Sequence, residues 1–311
     1  MIRQMRSSPR AEGNPVSDQV LRVQSSLSSR DHLLLQWLRD HGVLTTPQIA
    51  HALFPSLDFA QRRLHRLTAL ALIDRFRPLR ADGGSYPFHY VIDQLGAEVV
   101  AAQRDEPPPR PGYARTNRRR WTATRLLGHR LGVNRFFTDL AGHARTHPDH
   151  RLQRWWPETR CAQTGAFHRP GSPVHVGSLT APIHPDGHGI WTHHDRPVPF
   201  FLEYDTGGEA LTELLRKIAG YERLALHGGP RWPVLFRLHA TDRQTHLHHY
   251  LADAPTRIPI ATAVLTDTTP PDTAVAVGPA ERCWWLHRHP NQLTLAEFAD
   301  VIPDLDIREA G

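Results

Sequence analysis

Between Glu106 and Gly112 the chain reads Glu-Pro-Pro-Pro-Arg-Pro-Gly, and no other stretch limits its architecture so firmly. Each proline lacks a backbone donor and holds φ near −65°, so the segment can be neither a helix interior nor a central strand. An extended spacer is the conformation left to it. The residues on either side are then expected to close separate cores; 311 residues are long enough for two, though length alone also allows one large domain. The expected division is a disordered tail at 1–28, rich in Ser, Arg and Gln, a first domain at 29–104, a Pro/Arg-rich linker at 105–118 and a second domain at 119–311.

In the first domain helical apolar spacing begins after Arg30. Leu34, Leu35 and Leu38 mark a helix over 31–41 that Gly42 can stop. Thr45-Thr46-Pro47 supplies an N-cap and a first-turn proline for a short helix over 48–54, which Pro55-Ser56 breaks. A third helix over 57–72 turns Ala60, Leu64, Leu67, Leu70 and Ala71 inward and Gln61, Arg62, Arg63, His65 and Arg66 largely outward. Residues 73–80 and 87–92, joined at Asp82-Gly83-Gly84, read as a β-hairpin, and a helix over 95–103 follows.

Helix, short helix, arginine-bearing helix, hairpin and helix is the order of a winged helix-turn-helix. Such a domain sets its third helix in the major groove and its wing along the backbone of double-stranded DNA. Arg62, Arg63 and Arg66 are then candidate groove contacts, and Arg75, Arg77 and Arg80 candidate phosphate contacts from the wing. Charge favours this over a protein-binding winged helix. Through Arg120, 18 arginines stand against 11 acids, whereas the remainder of the chain, whose total is +6, is close to −1. Arg118-Arg119-Arg120 is either a solvated linker end or a further phosphate contact.

The second domain begins with an apolar helix over 122–143, then a strand over 151–156, short strands over 174–179 and 181–184, a strongly apolar strand over 199–204, a helix over 211–226 and a buried strand over 232–239. With the two short segments counted as one strand, the order α-β-β-β-α-β indicates an α/β layer, with a C-terminal extension containing residues 283–286 and a helix over 294–299. The fold class expected for the whole chain is thus mixed, α+β followed by α/β.

Composition removes several functions. No run approaches the roughly 18 apolar residues of a membrane span, and the amino terminus lacks the apolar core of a signal peptide, so a cytoplasmic protein with no membrane partner is expected. Cys161 and Cys283 have no CxxC spacing, and none of the 22 histidines falls into a zinc pattern.

Of the 37 basic residues only Lys217 is a lysine. Mutational pressure toward GC replaces lysine with arginine wherever any cation will serve. A lysine that survives is either a codon that drift passed over or a candidate site for a compact ammonium, which approaches one oxygen or water more closely than a planar guanidinium can. Carboxylates lie nearby in sequence. Along Phe200-Phe201-Leu202-Glu203-Tyr204-Asp205, strand alternation points Glu203 and Asp205 to one face, roughly 7 Å apart. Pro185-Asp186-Gly187 offers a third acid at a tight turn. Asp186 and Glu203 could hold magnesium, with manganese as substitute, while Asp205 assists and Lys217 acts on the attacking water.

Asp186 in its Pro-Asp-Gly turn, followed by Glu203 on the next apolar strand, resembles the metal-binding pair of the PD-(D/E)xK nuclease superfamily. The winged helix, then His-Pro-Asp-Gly, Phe-Phe-Leu-Glu-Tyr-Asp-Thr-Gly and Lys-Ile-Ala-Gly-Tyr, is similar over about residues 30 to 300 to the replication-relaxation family of plasmids and integrative elements in high-GC bacteria. That resemblance implies a winged helix joined to a restriction-endonuclease-like αβββαβ domain, acting on DNA in replication, relaxation or transfer. It also implies plasmid replication or transfer proteins as partners and is compatible with a homodimer. Asp205 stands where the nuclease pattern has its lysine, so either Lys217 has taken that role from the next helix or the domain is a catalytically silent adaptor of a DNA-binding regulator. Lys217 lies at the margin of its helix's buried face, within reach of the strand carboxylates or of Glu213. Glu158 reads as an additional ligand or a surface acid.

Overall fold

The computed structural model describes residues 18–79, 83–123, 126–167, 183–254, 256–264, 277–303 and 305. These group into two compact units, drawn from Met1–Leu44 with Gln61–Thr124 and from Thr45–Ala60 with Arg125–Gly311. No helix among the described residues is long and apolar enough to cross a membrane.

The chain opens with α1 (Asp18–Gln24), whose Val20 and Val23 are buried one helical turn apart. The expected disordered tail is therefore corrected over these residues. Next come α2 (Ser29–His41), β1 (Leu44–Thr45), α3 (Thr46–Leu53), α4 (Leu57–Ala69), β2 (Ile73–Phe76), β3 (His89–Ile92) and α5 (Gln94–Gln103). The strands form a three-stranded sheet in the order β1-β3-β2. Capping boxes open α2 and α3, through Ser28 with Asp31 and Thr45 with Gln48.

Two boundaries differ from those the sequence suggests. The spacer ends at Gly112, whose φ of 84° is open to glycine, and α6 (Tyr113–Ala123) starts immediately, so much of the expected linker is helix. Helix α3 belongs with the second unit. There Gln48 Nε2 donates to the Leu131 carbonyl at 2.8 Å, and a Cβ on Gly142 would stand 2.1 Å from the His51 ring.

The second unit is built on a seven-stranded sheet ordered β10-β9-β8-β7-β6-β5-β4. After α7 (Leu127–Thr146) come β4 (His150–Pro157), the single turn α8 (Glu158–Cys161), β5 (Gly187–His193) and β6 (Arg196–Tyr204). These three strands pair antiparallel. α9 (Leu211–Leu226) then crosses to β7 (Val234–Leu238), parallel to β6, and α10 (Thr241–Asp253) crosses to β8 (Ile260–Val264), parallel to β7. β9 (Trp284–Leu286) and β10 (Gln292–Leu293) extend the sheet antiparallel before the short α11 (Phe298–Val301), so the C-terminal extension is part of the layer.

The middle strand differs from expectation. Residues 174–179 and 181–182 lie outside the described residues, and the strand that pairs with β6 is β5. It meets β6 at a two-residue turn, His194-Asp195, whose φ values of 45° and 59° are those of a type I′ hairpin.

Alternation along β6 fills two cores. Phe200, Leu202 and Tyr204 pack with Val133, Phe136 and Phe137 of α7, whereas Phe201 joins Leu214, Ile218 and Tyr221 of α9 on the other face. His188 on β5 is fully buried, stacked on Trp232 with ring centroids 4.7 Å apart, and its Nδ1–H donates to the Phe200 carbonyl at 2.8 Å. Burial lowers its pKa to about 3. The unfolded chain takes up this proton near pH 6.5 and the folded chain does not, so stability is lost as pH falls from about 6.5 toward 3. His188→Phe is expected to flatten the fall in urea midpoint between pH 7 and 4. An unchanged slope would place the acid sensitivity elsewhere.

Candidate active site

Glu203 lies next to the end of β6, on the face that α9 covers, and is 1% exposed. Lys217 and Tyr221 are four residues apart on α9, so both reach it from one side of the helix. The Lys217 ammonium stands 3.0 Å from Oε2 and the Tyr221 hydroxyl donates to Oε1 at 2.6 Å. Oε2 has no well-directed hydrogen bond, which makes its contact with Lys217 chiefly electrostatic. A second carboxylate, Glu209, lies 3.1 Å from the ammonium. Glu213 pairs instead with Arg216.

Asp186 immediately precedes β5, beside the same end of β6. Its Oδ2 accepts the Tyr204 backbone N–H at 2.8 Å and lies 3.2 Å from His129 Nε2 of α7. Gly132 lets α7 approach closely, because a Cβ there would sit 2.2 Å from the Tyr204 ring.

The charges are set by burial and by one another. Burial and Asp186 push the Glu203 carboxyl up to about 8, against the lowering effects of Lys217 and Tyr221. Burial would lower Lys217, but Glu203 and Asp186 hold its ammonium above the ordinary range. Lys217 is thus the fixed charge of the pair and Glu203 the group that titrates. Burial would raise Asp186, yet His129, the Tyr204 N–H and Lys217 keep it lowered, and Asp186 in return raises His129 against burial.

Asp205 faces elsewhere. Past the end of β6 it pairs with Arg243 through Nε–Oδ2 and, at 3.3 Å, through Nη2–Oδ1, accepts the Gly207 N–H at 2.9 Å and lies 3.5 Å from His239 Nδ1. The two acids expected to share one face, Glu203 and Asp205, are therefore parted into two clusters, Asp186 with Glu203 and Asp205 with Arg243. Glu158 is half exposed and 3.3 Å from Arg130. Among the described residues no three His, Cys, Asp or Glu form a ready metal cluster. The donor set nevertheless suits a hard cation that takes one or two carboxylates and fills its octahedron with water and phosphate oxygens, since Asp186 and the poorly bonded Oε2 of Glu203 are such donors.

In the first unit Arg62 and Arg66 of α4 are exposed. Arg75 and Arg77 lie over the Phe88 ring at 4.3 and 4.1 Å. Arg63 does not join them. It is turned inward onto Asp31, with Nε–Oδ1 at 2.8 Å and Nη2–Oδ2 at 2.5 Å. Arg80 lies outside the described residues.

A family model described as replication-relaxation matches residues 35–235, more than half of the chain and a span that holds Asp186, Glu203, Asp205 and Lys217 with their contacts His129, Glu209 and Tyr221. The chain belongs to the replication-relaxation family. Comparison with curated proteins and with solved structures returned no match. His129, Glu209 and Tyr221 also contact Asp186, Lys217 and Glu203 in this replication-relaxation protein, and sequence alone does not place them among the candidates. Tyr221 could have been found from its spacing of four from Lys217, whereas nothing local marks His129 or Glu209.

Proposed function

We propose that this replication-relaxation protein binds duplex DNA through α4 and the β2–β3 hairpin, used as a winged helix, and cleaves phosphodiesters with a divalent cation at a PD-(D/E)xK-like site in the second unit. The contact of Lys217 with Glu203, beside Asp186 just ahead of the neighbouring strand, carries this reading. Bound magnesium or manganese would neutralise phosphate charge and make an attacking water more acidic. Asp186 and Glu203 would hold it. In hydrolysis the water forms a new P–O bond, one ester P–O bond breaks and the leaving oxygen gains a proton. The Lys217 ammonium is placed to steady the water and the charge growing on phosphate, a task for a compact cation. Tyr221 and His129 are positioning residues, since each hydrogen-bonds to a carboxylate that would face the substrate.

Supercoiled plasmid with magnesium or manganese tests this directly. Asp186→Asn, Glu203→Gln and Lys217→Arg should each slow nicking about 100-fold or more. Unchanged nicking by these variants would remove the site. A second reading, a silent nuclease-like adaptor on a DNA-binding regulator, is favoured by the burial of Glu203 under its own lysine. Duplex binding by a wild-type protein that nicks with neither metal would select it.

A further inference from the structure

Helix α6 has the sequence YARTNRRRWTA, eleven residues with four arginines and no acid. One face of it is anchored. A Cβ on Gly42 would stand 2.2 Å from the Trp121 ring, Trp121 Nε1 donates to Asn117 Oδ1 at 3.2 Å, and Arg39 lies over Tyr113 at 4.7 Å. Tyr113, Asn117 and Trp121 therefore mark the inner stripe, at a spacing of four. Arg118 pairs with Asp74 of β2 at 2.9 Å and so holds α6 against the hairpin that bears Arg75. Arg120 lies over the Trp121 ring at 5.2 Å.

Arg115 and Arg119 remain on the outer side. At 100° per residue each is 200° from its inner-stripe neighbour two positions earlier, and both are exposed. They are four residues apart, a like-charge pair that disfavours an isolated helix, on a helix with no acid of its own to offset it. A row of guanidinium groups beside a basic hairpin suits a regularly spaced polyanion.

We propose that α6 is a second phosphate-contacting element, in which Arg115 and Arg119 bind the backbone of the same duplex that α4 and the hairpin engage. This rests on the DNA-binding half of the proposed function and enlarges its footprint from the hairpin to the helix after the spacer. Arg118 is the positioning residue that ties the two elements together.

The full-length protein is titrated with fluorescent duplex DNA from low to high NaCl. Each phosphate contact adds about 0.9 to the magnitude of the slope of log K against log salt. Arg115→Gln with Arg119→Gln should therefore flatten the slope by about 1.8 and weaken binding at every salt concentration. Replacing both by lysine should retain the slope. Unaltered circular dichroism would show that the variant folds. A steep wild-type slope unchanged in the double glutamine variant overturns the role of α6 and leaves DNA binding by α4 and the hairpin intact. A wild-type protein with no salt-dependent duplex binding overturns both. Equal competition by polyglutamate would make the ridge a general polyanion surface and overturn its assignment to DNA.

Discussion

Lys217→Met is expected to lower the free energy of unfolding by about 3 kcal/mol at pH 9 and by much less at pH 6. The ammonium is the cation within 3.0 Å of a carboxylate that is 1% exposed and electrostatically coupled to Asp186. Removing it leaves a buried negative charge without its partner, a loss that usually exceeds what the pair contributes over an apolar replacement. The pH dependence follows from Glu203. Its folded pKa, about 8, is above the ordinary 4.5, so the folded chain holds this proton more tightly than the unfolded one. Stability from Glu203 is present below about pH 4.5 and lost as pH rises through 8. At pH 6 the neutral acid tolerates the methionine.

Glu203→Gln should consequently stabilise the protein at high pH, the more so because Lys217 keeps Glu209 at 3.1 Å. The effect of Lys217→Met should then nearly vanish in the Glu203→Gln background. Urea unfolding of the four proteins in this cycle at pH 6 and 9 checks it. An equal loss in both backgrounds would show that Lys217 acts through packing. Lys217→Arg should restore most of the stability without restoring nicking, separating the charge of the lysine from its compactness.

How far the site could be read from sequence depends on the range of the forces that set it. Alternation along 200–204 is local, and it correctly assigns Glu203 to the face opposite Leu202. At Asp205 the strand has ended, and its partner is decided by Arg243, 38 residues away, which no local pattern reveals. The strand β5 was missed for a related reason. Gly187-His188-Gly189 lacks branched residues, but the Phe137 and Phe200 rings occupy the space that two Cβ atoms would take, 2.7 and 2.2 Å from those positions. Its glycines are demanded by aromatic packing from other elements and so resemble a loop. The arginines and the adjoining prolines likewise made α6 look like linker, although Tyr113, Asn117 and Trp121 repeat at helical spacing. The lone lysine is the local signal that leads to Glu203, because a residue type that the rest of the chain avoids stands out in composition alone. Its geometry, with Glu203 and Glu209 rather than Glu213, emerged only when α9 was packed on β6.

Arg63→Met is expected to cost about 3 kcal/mol at pH 7 and to leave the salt dependence of DNA binding unchanged, the reverse of what a groove contact would do. By sequence Arg63 groups with the outward Arg62 and Arg66, although at 100° per residue it stands about 40° from Leu67, at the margin of the inward stripe. The structure instead gives it a bidentate partner, Asp31, which is 1% exposed and also accepts the Ser28 N–H at 2.7 Å and its hydroxyl at 2.6 Å. Burial alone would raise the Asp31 carboxyl. The bonds from Arg63 and Ser28 outweigh it and hold the group below 3.8. A lowered acid contributes stability above its unfolded value that is lost as pH falls through the folded one, so the deficit of Arg63→Met should shrink below about pH 4. Asp31→Asn added to Arg63→Met should recover part of the loss, because no buried charge is then left alone and the amide oxygen can still accept the Ser28 N–H. Arg66→Gln should behave oppositely, with nearly unchanged unfolding and a salt slope flatter by about 0.9. Arg63→Met that flattens the slope while sparing stability would mean that Arg63 leaves Asp31 to meet DNA. Both outcomes are read from the same two titrations, and together they separate an arginine of α4 that holds the unit together from one proposed to meet DNA.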